Sequence, residues 1–364
     1  MTFVKFTEQN NLCILTVEFK QTVVSEIKVS SEEMKSVLES LFIKHSFTKA
    51  QASLLAKIHT ESTLDGVYSH GINRVPVFID YVNKGLIKTD AIATKTASMG
   101  SMERWDGNLG SGVLNALKCT DQAIALAKTH GMGLVALKNT NHWMRGGTYG
   151  WRAAEQGCIS ILFTNTIPNM PAWGGKENRL GNNPLVISIP RKEGHVVLDM
   201  ALSQFSFGKM QSLDLKNEEL PFHGGWDKNN ALTKHPKDII ETGRALPVGY
   251  WKGSALSMVL DMLATLLSAG NSTYKIGLKK NETALSQVFM CIDPRTFSDQ
   301  GLQENLLNEI IQFTHDGPSI SEGESTFYPG ERTLATRKKS KLEGMKVNNK
   351  IWEEILRLLD ETKS

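Results

Sequence analysis

The chain has 364 residues, a formal charge of +3, 40% hydrophobic and 22% charged residues. That length buries a sizeable core, and that composition excludes disorder as the default state. The small charge excludes a strongly basic nucleic-acid binder; the one conspicuous basic run, ATRKKSKLEG (335–344), lacks interleaved aromatics and reads as a solvated segment.

In chain order, residues 1–26 stand apart as an N-terminal extension, with a β-prone LCILTVEF between polar stretches. They lack the charged and apolar regions of a secretory signal, so a cytoplasmic location is expected. A capping box at Ser30–Glu33 precedes Met34, Val37, Leu38, Leu41 and Phe42 at helical spacing. Thr48–Gln51 repeats the cap, and Leu54, Leu55 and Ile58 mark a second helix within a helical segment spanning 27–92. It leads into DGVYSHGINRVP (65–76), where Gly66, Gly71 and Pro76 oppose a regular helix or strand interior.

From 93 to 300, strand-like and helix-like stretches alternate, predicting a mixed α/β core. Strands are expected at 132–138, 158–164, 185–189, 195–200 and 286–292, with a short helix from Thr148 to Gln156 stopped by Gly157. GNLGSGVLNALK (107–118) has the look of a dinucleotide-binding turn, but Asn115 stands where the third glycine of GxGxxG belongs and no clear strand precedes it. We read a turn and a helix start. Leu256, Val259, Leu260, Leu263 and Leu267 follow helical spacing; the run SMVLDMLATLL (257–267) contains Asp261 and is too short to cross a bilayer, so a core helix is expected. Residues 301–364 read as a C-terminal helical segment, with helices at 301–315 and 349–361, packing with the N-terminal part. Cys13, Cys119, Cys158 and Cys291 are scattered, which suits reduced thiols; no metal-ligand spacing is present, and no metal is expected.

Two polar sets carry the chemistry. Tyr68, Ser69, His70 and Arg74 lie within seven residues, and Asn141, His142 and Arg145 precede a Gly-Gly pair at the end of the 132–138 strand. An imidazole exchanges protons near neutral pH, and a guanidinium offers a planar fork to a carboxylate. Strand ends of open α/β sheets commonly hold ligands. Together they suit a small acidic oxygenated substrate. Taken singly, His70 also reads as a helix cap, Arg74 as a solvated charge and His142 as a packed histidine. Downstream, WGGKENRLGNNP (173–184) is rich in residues that let backbone approach a ligand, or form an ordinary turn. Trp251 and Lys252 open the long helix where an anion is favoured; core packing and an exposed charge are the plainer readings.

YSHGINR, NTNHWMRGG, WGGKENRLGNNP and LPVGYWKGSALSMVLDMLATLLS (246–268) resemble the type 2 malate/L-lactate dehydrogenase family, from about Ile27 nearly to the C-terminus. HWMRGGTYGW and GYWKGS are most similar to its branch of 2,3-diketo-L-gulonate reductases. The resemblance implies a mixed-sheet, non-Rossmann nicotinamide-binding fold and a homodimer. It implies NADH, with NADPH as the other option, reducing a 2-keto acid such as 2,3-diketo-L-gulonate. It makes His70 the proton donor, assisted by Ser69, Arg74 and His142, and places Arg145 and Asn183, with Gly181 and Asn182, at the substrate. It assigns His195, Val196, Val197, Leu198, Asp199, Met200 and Ala201, Trp251 and Lys252, and Gly330, Glu331 and Arg332 to the cofactor. Other acids of the family (malate, lactate, sulfolactate, ureidoglycolate) or a cyclic imine stay open as substrates. A non-catalytic binding protein is opposed by the intact His70 and Lys252.

Overall fold

The structure, a computed structural model, describes residues 4–9, 12–17, 25–320 and 323–361. Of the 1–26 extension, residues 1–3, 10–11 and 18–24 lie outside the described residues, as does the side chain of Cys13; its backbone contributes β1 (Val4–Gln9) paired with β2 (Leu12–Val17). Then come β3 (Glu26–Val29), α1 (Ser31–Lys44), α2 (Lys49–Leu64), α3 (Val75–Asn83), β4 (Thr94–Met99), β5 (Met102–Asp106), α4 (Gly112–His130), β6 (Met132–Thr140) and α5 (Gly147–Glu155). Next are β7 (Ile159–Thr164), β8 (Met170–Pro171), β9 (Asn178–Leu180), β10 (Leu185–Ile189), β11 (Val196–Met200), α6 (Phe207–Leu215), β12 (Gly225–Trp226), β13 (Leu232–Thr233) and α7 (Pro236–Thr242). The chain closes with α8 (Trp251–Ser268), α9 (Thr273–Gly277), β14 (Leu285–Ile292), α10 (Gln300–His315), α11 (Glu331–Glu343), β15 (Met345–Asn348) and α12 (Asn349–Asp360).

The early helices start where the capping residues stand. Ser30 accepts from Glu33 N, and Thr48 and Gln51 form a complete capping box. All five expected strands are present, in a seven-stranded sheet of order β11-β10-β7-β14-β6-β5-β4. Its neighbours are antiparallel except β5 and β6, which run parallel and are joined across α4. Strand alternation splits the core: Val135, Leu137, Leu162 and Phe289 face the helices on one side, while Leu134, Ala136, Phe163 and Val288 join Leu260 and Ala264 of α8 on the other. The C-terminal segment returns to the start of the chain through β15, which pairs with β3, and through α12 against α1 and α3. Glu26 belongs to β3 and Ser25 O accepts from Asn349 N, so the last two residues of the 1–26 stretch bond to the C-terminal segment.

Two expectations are corrected. A strand does precede GNLGSG, since β5 ends at Asp106, yet the glycines serve packing. A Cβ on Gly107 would lie 2.7 Å from Asn115 Nδ2, and one on Gly112 would lie 2.1 Å from Asn141 O. The long apolar helix α8 is not a core helix: only Leu260 of its periodic set is buried, while Val259, Leu263 and Leu267 are exposed and Leu266 is 76% exposed. The helix forms as the spacing predicts, but it packs on the sheet through Leu260 and Ala264 and leaves the rest of the apolar set exposed.

Candidate active site

α2 ends at Leu64, and Gly66 at φ +81 turns the chain into two 3-10 turns, Tyr68–His70 and Ile72–Arg74. α3 then begins with Pro76 in its first turn, where a missing N–H costs nothing. The turn folds back on α2: Ile72 N donates to Thr63 Oγ1 at 2.9 Å, and a Cβ on Gly71 would meet that oxygen at 2.4 Å. This bracing leaves Ser69, His70 and Arg74 on the outer side. Ser69 Oγ is 3.0 Å from His70 Nδ1.

The second set sits at the end of β6. Gly112 lets the first turn of α4 press against the carbonyls of Asn141 and His142. Asn141 donates to the carbonyls of Leu86, Leu109 and Gly110. Met144 is held at φ +64, a strained value for a non-glycine residue, and its N–H donates to His142 Nδ1 at 2.9 Å. That bond makes Nδ1 the acceptor, so the neutral ring carries its proton on Nε2. Burial, and the charges of Arg74 and His70, hold His142 well below the ordinary imidazole range. His142 is therefore a neutral donor.

The two histidines stack with centroids 5.7 Å apart and 24° between planes. Burial also lowers His70, opposed by Asp199 and reinforced by Arg74 and Arg145. Asp199, on β11, accepts from Gly147 N at 2.8 Å and lies 3.8 Å from Arg145 Nε. Its negative charge acts on His70.

Arg74 and Arg145 differ sharply. The Arg74 side chain makes no ion pair or hydrogen bond among the described residues, and its charge acts on both histidines. Arg145 is 6% exposed, and its guanidinium is bonded to Asp65, which also receives a bidentate pair from Arg337 at 2.5 and 2.7 Å. Arg145 was expected at the substrate; its Nη1 is held by Asp65, while its buried Nε has no hydrogen-bond partner among the described residues. Asn183 is held by the protein as well. Fully buried, it accepts from Thr166 N at 3.0 Å and donates to Ser257 O and Oγ. Gly181 is pressed against Asn183 and Thr166, while Asn182 accepts from Thr166 and Asn169.

Sequence reasoning missed Asp65, Arg337 and Glu282. Asp65 opens the quoted motif but carries no local sign of its partners. Arg337 lay in the run expected to be solvated, and it is instead ion-paired and stacked over Trp151 at 4.7 Å. Glu282 lies outside every motif; its carboxylate accepts from Ile167 N at 3.0 Å and is acted on by the charge of Arg74. A further contact also went unread: a Cβ on Gly208, in the first turn of α6, would meet Ser69 Cβ at 2.6 Å, so α6 roofs the catalytic turn.

The cofactor candidates converge along β11. Val197 N donates to Pro329 O at 2.8 Å, and Gly330 at φ +101 abuts His195 O and Val197 N. At the other end Leu202 O accepts from Val248 N, three residues before Trp251. Trp251 is 62% exposed, so it is not a core residue, and Lys252 is exposed without an ion-pair partner among the described residues. α8 has no side-chain cap at its N-terminus. Glu331 accepts from Tyr328 N and pairs with His315, and Arg332 stacks over Phe327.

No helix among the described residues is long and apolar enough to cross a membrane, and no cluster of His, Cys, Asp or Glu there could hold a metal. The model of the malate/L-lactate dehydrogenase family matches residues 29–356. The 2,3-diketo-L-gulonate reductase of Citrobacter koseri is 40% identical over 330 residues, covering 90% of this chain and 99% of the relative; that of Salmonella typhi is 41% identical over the same shares. Among solved structures, malate dehydrogenase from Entamoeba histolytica superposes with a TM-score of 0.88 at 24% identity, over 93% of this chain and 99% of that one, and shares the fold. Sulfolactate dehydrogenase from Methanocaldococcus jannaschii superposes with a TM-score of 0.82 at 26% identity, over 91% and 96%. With the family model covering most of the chain and relatives matched almost end to end, the chain belongs to the malate/L-lactate dehydrogenase family.

Proposed function

We propose that the enzyme reduces 2,3-diketo-L-gulonate to 3-dehydro-L-gulonate, with NADH as donor. The observation that carries the reading is a stacked histidine pair under the charge of an arginine whose side chain makes no ion pair among the described residues. The curated relatives at about 40% identity, named for this reaction, supply the substrate. The nicotinamide, when bound, supplies hydride to the C2 carbon. His142 Nε2–H polarises the ketone oxygen, and His70 delivers the proton that converts the developing alkoxide to hydroxyl. Ser69 orients His70 through Nδ1. Arg74 takes the carboxylate in a bidentate grip.

The residues along β11 fit an extended dinucleotide. Val196 to Leu202 spans about 20 Å at the usual strand rise, with Gly330 packed at one end and uncapped α8 bearing Lys252 at the other. A helix N-terminus with a free lysine suits a phosphate. Purified protein tested for NADH and NADPH oxidation against 2,3-diketo-L-gulonate, oxaloacetate, pyruvate and a cyclic imine decides both donor and substrate. Turnover of oxaloacetate alone would replace the proposed reaction.

The exposed apolar stripe of α8 (Val259, Met262, Leu263, Leu266) suits a homodimer contact, which places Trp251 and Lys252 near the subunit boundary. Sedimentation over a dilution series tests this; a monomer that binds NADH at full affinity would overturn it. The buried free thiols Cys119, Cys158 and Cys291 suit a reducing cytoplasm.

A further inference from the structure

The peptide that follows His70 is held from α2 by two side chains that belong to no catalytic motif. The Gly71 carbonyl and the Ile72 N–H are the two polar ends of one peptide group. His59 Nδ1 donates to Gly71 O at 3.2 Å, and Ile72 N donates to Thr63 Oγ1 at 2.9 Å. His59 and Thr63 stand one turn apart on the same face of α2, and both are fully buried. The Thr63 hydroxyl gives its own proton to His59 O at 2.8 Å, which leaves its lone pairs to Ile72.

His59 shows what this clamp costs. Its ring packs against Phe42 and Phe78, with centroids 5.7 and 5.8 Å away, and its Nε2 is buried with no hydrogen-bond partner among the described residues. An unsatisfied nitrogen there is unfavourable, and the bond to Gly71 is what the imidazole gains over a third phenyl ring. Burial pushes His59 down to about 4, so near neutral pH it stays an uncharged Nδ1–H donor.

The clamped peptide carries both functional groups of the turn. His70 precedes it directly, and Gly71 O also accepts from Arg74 N at 3.1 Å. A Cβ on Gly71 would lie 2.4 Å from Thr63 Oγ1 and 2.9 Å from Thr63 N, so the peptide is pressed directly on α2. A shift at this one peptide moves the ring that stacks on His142 and the backbone of Arg74 together.

We propose that Thr63 is a positioning residue of the reduction: by holding Ile72 N it fixes the peptide between His70 and Arg74, and so keeps the proton donor in register with the anion grip. Thr63 acts through that peptide, not on the substrate. The proposal rests on the reading of His70 as proton donor and Arg74 as carboxylate ligand, and names what aligns them.

Thr63→Val tests it, because valine keeps the shape of threonine and accepts no hydrogen bond. Thr63→Ser keeps the hydroxyl, and Thr63→Cys offers a sulfur that accepts only weakly. Each is compared with the unaltered enzyme in steady-state reduction of 2,3-diketo-L-gulonate, NADH affinity and melting temperature, with rates taken below the melting range of every variant. A reacting group misplaced by about 1 Å costs up to roughly 10²-fold, so Thr63→Val should lose roughly 10–100-fold in kcat/KM, shared between a lower kcat from His70 and a higher KM from Arg74. NADH affinity should hold. Thr63→Ser should recover most of the loss, and Thr63→Cys should fall between.

The pH profile gives a second readout. Burial is the largest cause of the lowered His70 pKa, with Asp199 opposing it and Arg74 and Arg145 adding to it; the stacked His142 ring is neutral. A ring released towards water should titrate nearer the usual 6.5, so the midpoint of reduction in Thr63→Val should move up. Lower melting in Thr63→Val with kcat, KM and midpoint unchanged would reduce Thr63 to a brace. Equal losses in the Ser and Val variants would show that the hydroxyl is not what acts; either result overturns the proposal. If Thr63→Val does not fold, Thr63→Cys against Thr63→Ser carries the same comparison. If the unaltered enzyme reduces a different 2-keto acid, the proposed substrate falls by itself and Thr63 is judged on that acid; no turnover of any would overturn both.

Discussion

The turns at 65–76 and 139–147 carry the same residue types, a histidine and an arginine a few positions apart, and the fold gives them opposite duties. In the first, the Arg74 side chain makes no ion pair among the described residues, and the His70 ring meets Ser69 at Nδ1 and stacks on His142. In the second, His142 is locked in one tautomer by Met144 N, and Arg145 is buried against Asp65. One turn is left free to bind and exchange; the other is fixed as scaffold and donor. Residue type chooses what chemistry is possible, and the partners choose which side chain performs it.

The comparison breaks most decisively at the histidines. His70→Ala should lower turnover by roughly 10²–10⁴-fold with little change in NADH affinity, because a positioned acid–base group contributes about that much. Turnover near that of the unaltered enzyme would remove His70 from the mechanism. The arginines come next, and should separate by observable. Arg74→Lys should raise KM by roughly 10–100-fold, since a point charge replaces a bidentate fork worth about 1.5–3 kcal/mol. Arg145→Met should instead cost roughly 1.5–3 kcal/mol of stability, because buried Asp65 loses one charged partner and keeps Arg337, read as a lower urea midpoint. If it were Arg145→Met that changed KM without changing stability, the two arginines would have to exchange roles.

The acidity of His70 gives a subtler test. Its folded pKa lies below the usual 6.5, and the proton donor is the charged form. Reduction at low substrate should therefore fall as pH rises through a midpoint below that value, while the reverse oxidation should rise over the same window. Asp199→Asn removes the one group that opposes the lowering, so the midpoint should move further down. An unmoved profile would disconnect Asp199 from His70. The smallest effect is expected at the N-terminus. A chain beginning at Ser25 keeps β3 paired with β15 and should retain activity, whereas one beginning at Ile27 loses Glu26 and the Ser25–Asn349 bond and should melt lower.

Capping boxes and periodicity located α1, α2 and the sheet strands because those signals are local: a hydroxyl three residues before its acceptor, or alternation along one strand. The SHG turn and the strand-end histidine were readable for the same reason. Arg337 was not. Its partner Asp65 is 272 positions away, and a lysine-rich neighbourhood suggests solvent to any local reading. The apolar periodicity of α8 was real, but periodicity reports a face without saying what covers it.

By itself the sequence determined which segments form helices and strands, and which two short stretches bear proton-carrying and anion-binding groups, since propensity, capping and side-chain chemistry act within a few residues. Tertiary structure alone decided that Arg145 is paired with Asp65 while Arg74 makes no ion pair among the described residues, and that His142 presents Nε2–H. Each of those outcomes depends on burial and on partners brought from distant parts of the chain, and a charge or a tautomer acquires its role only from the groups that surround it in space.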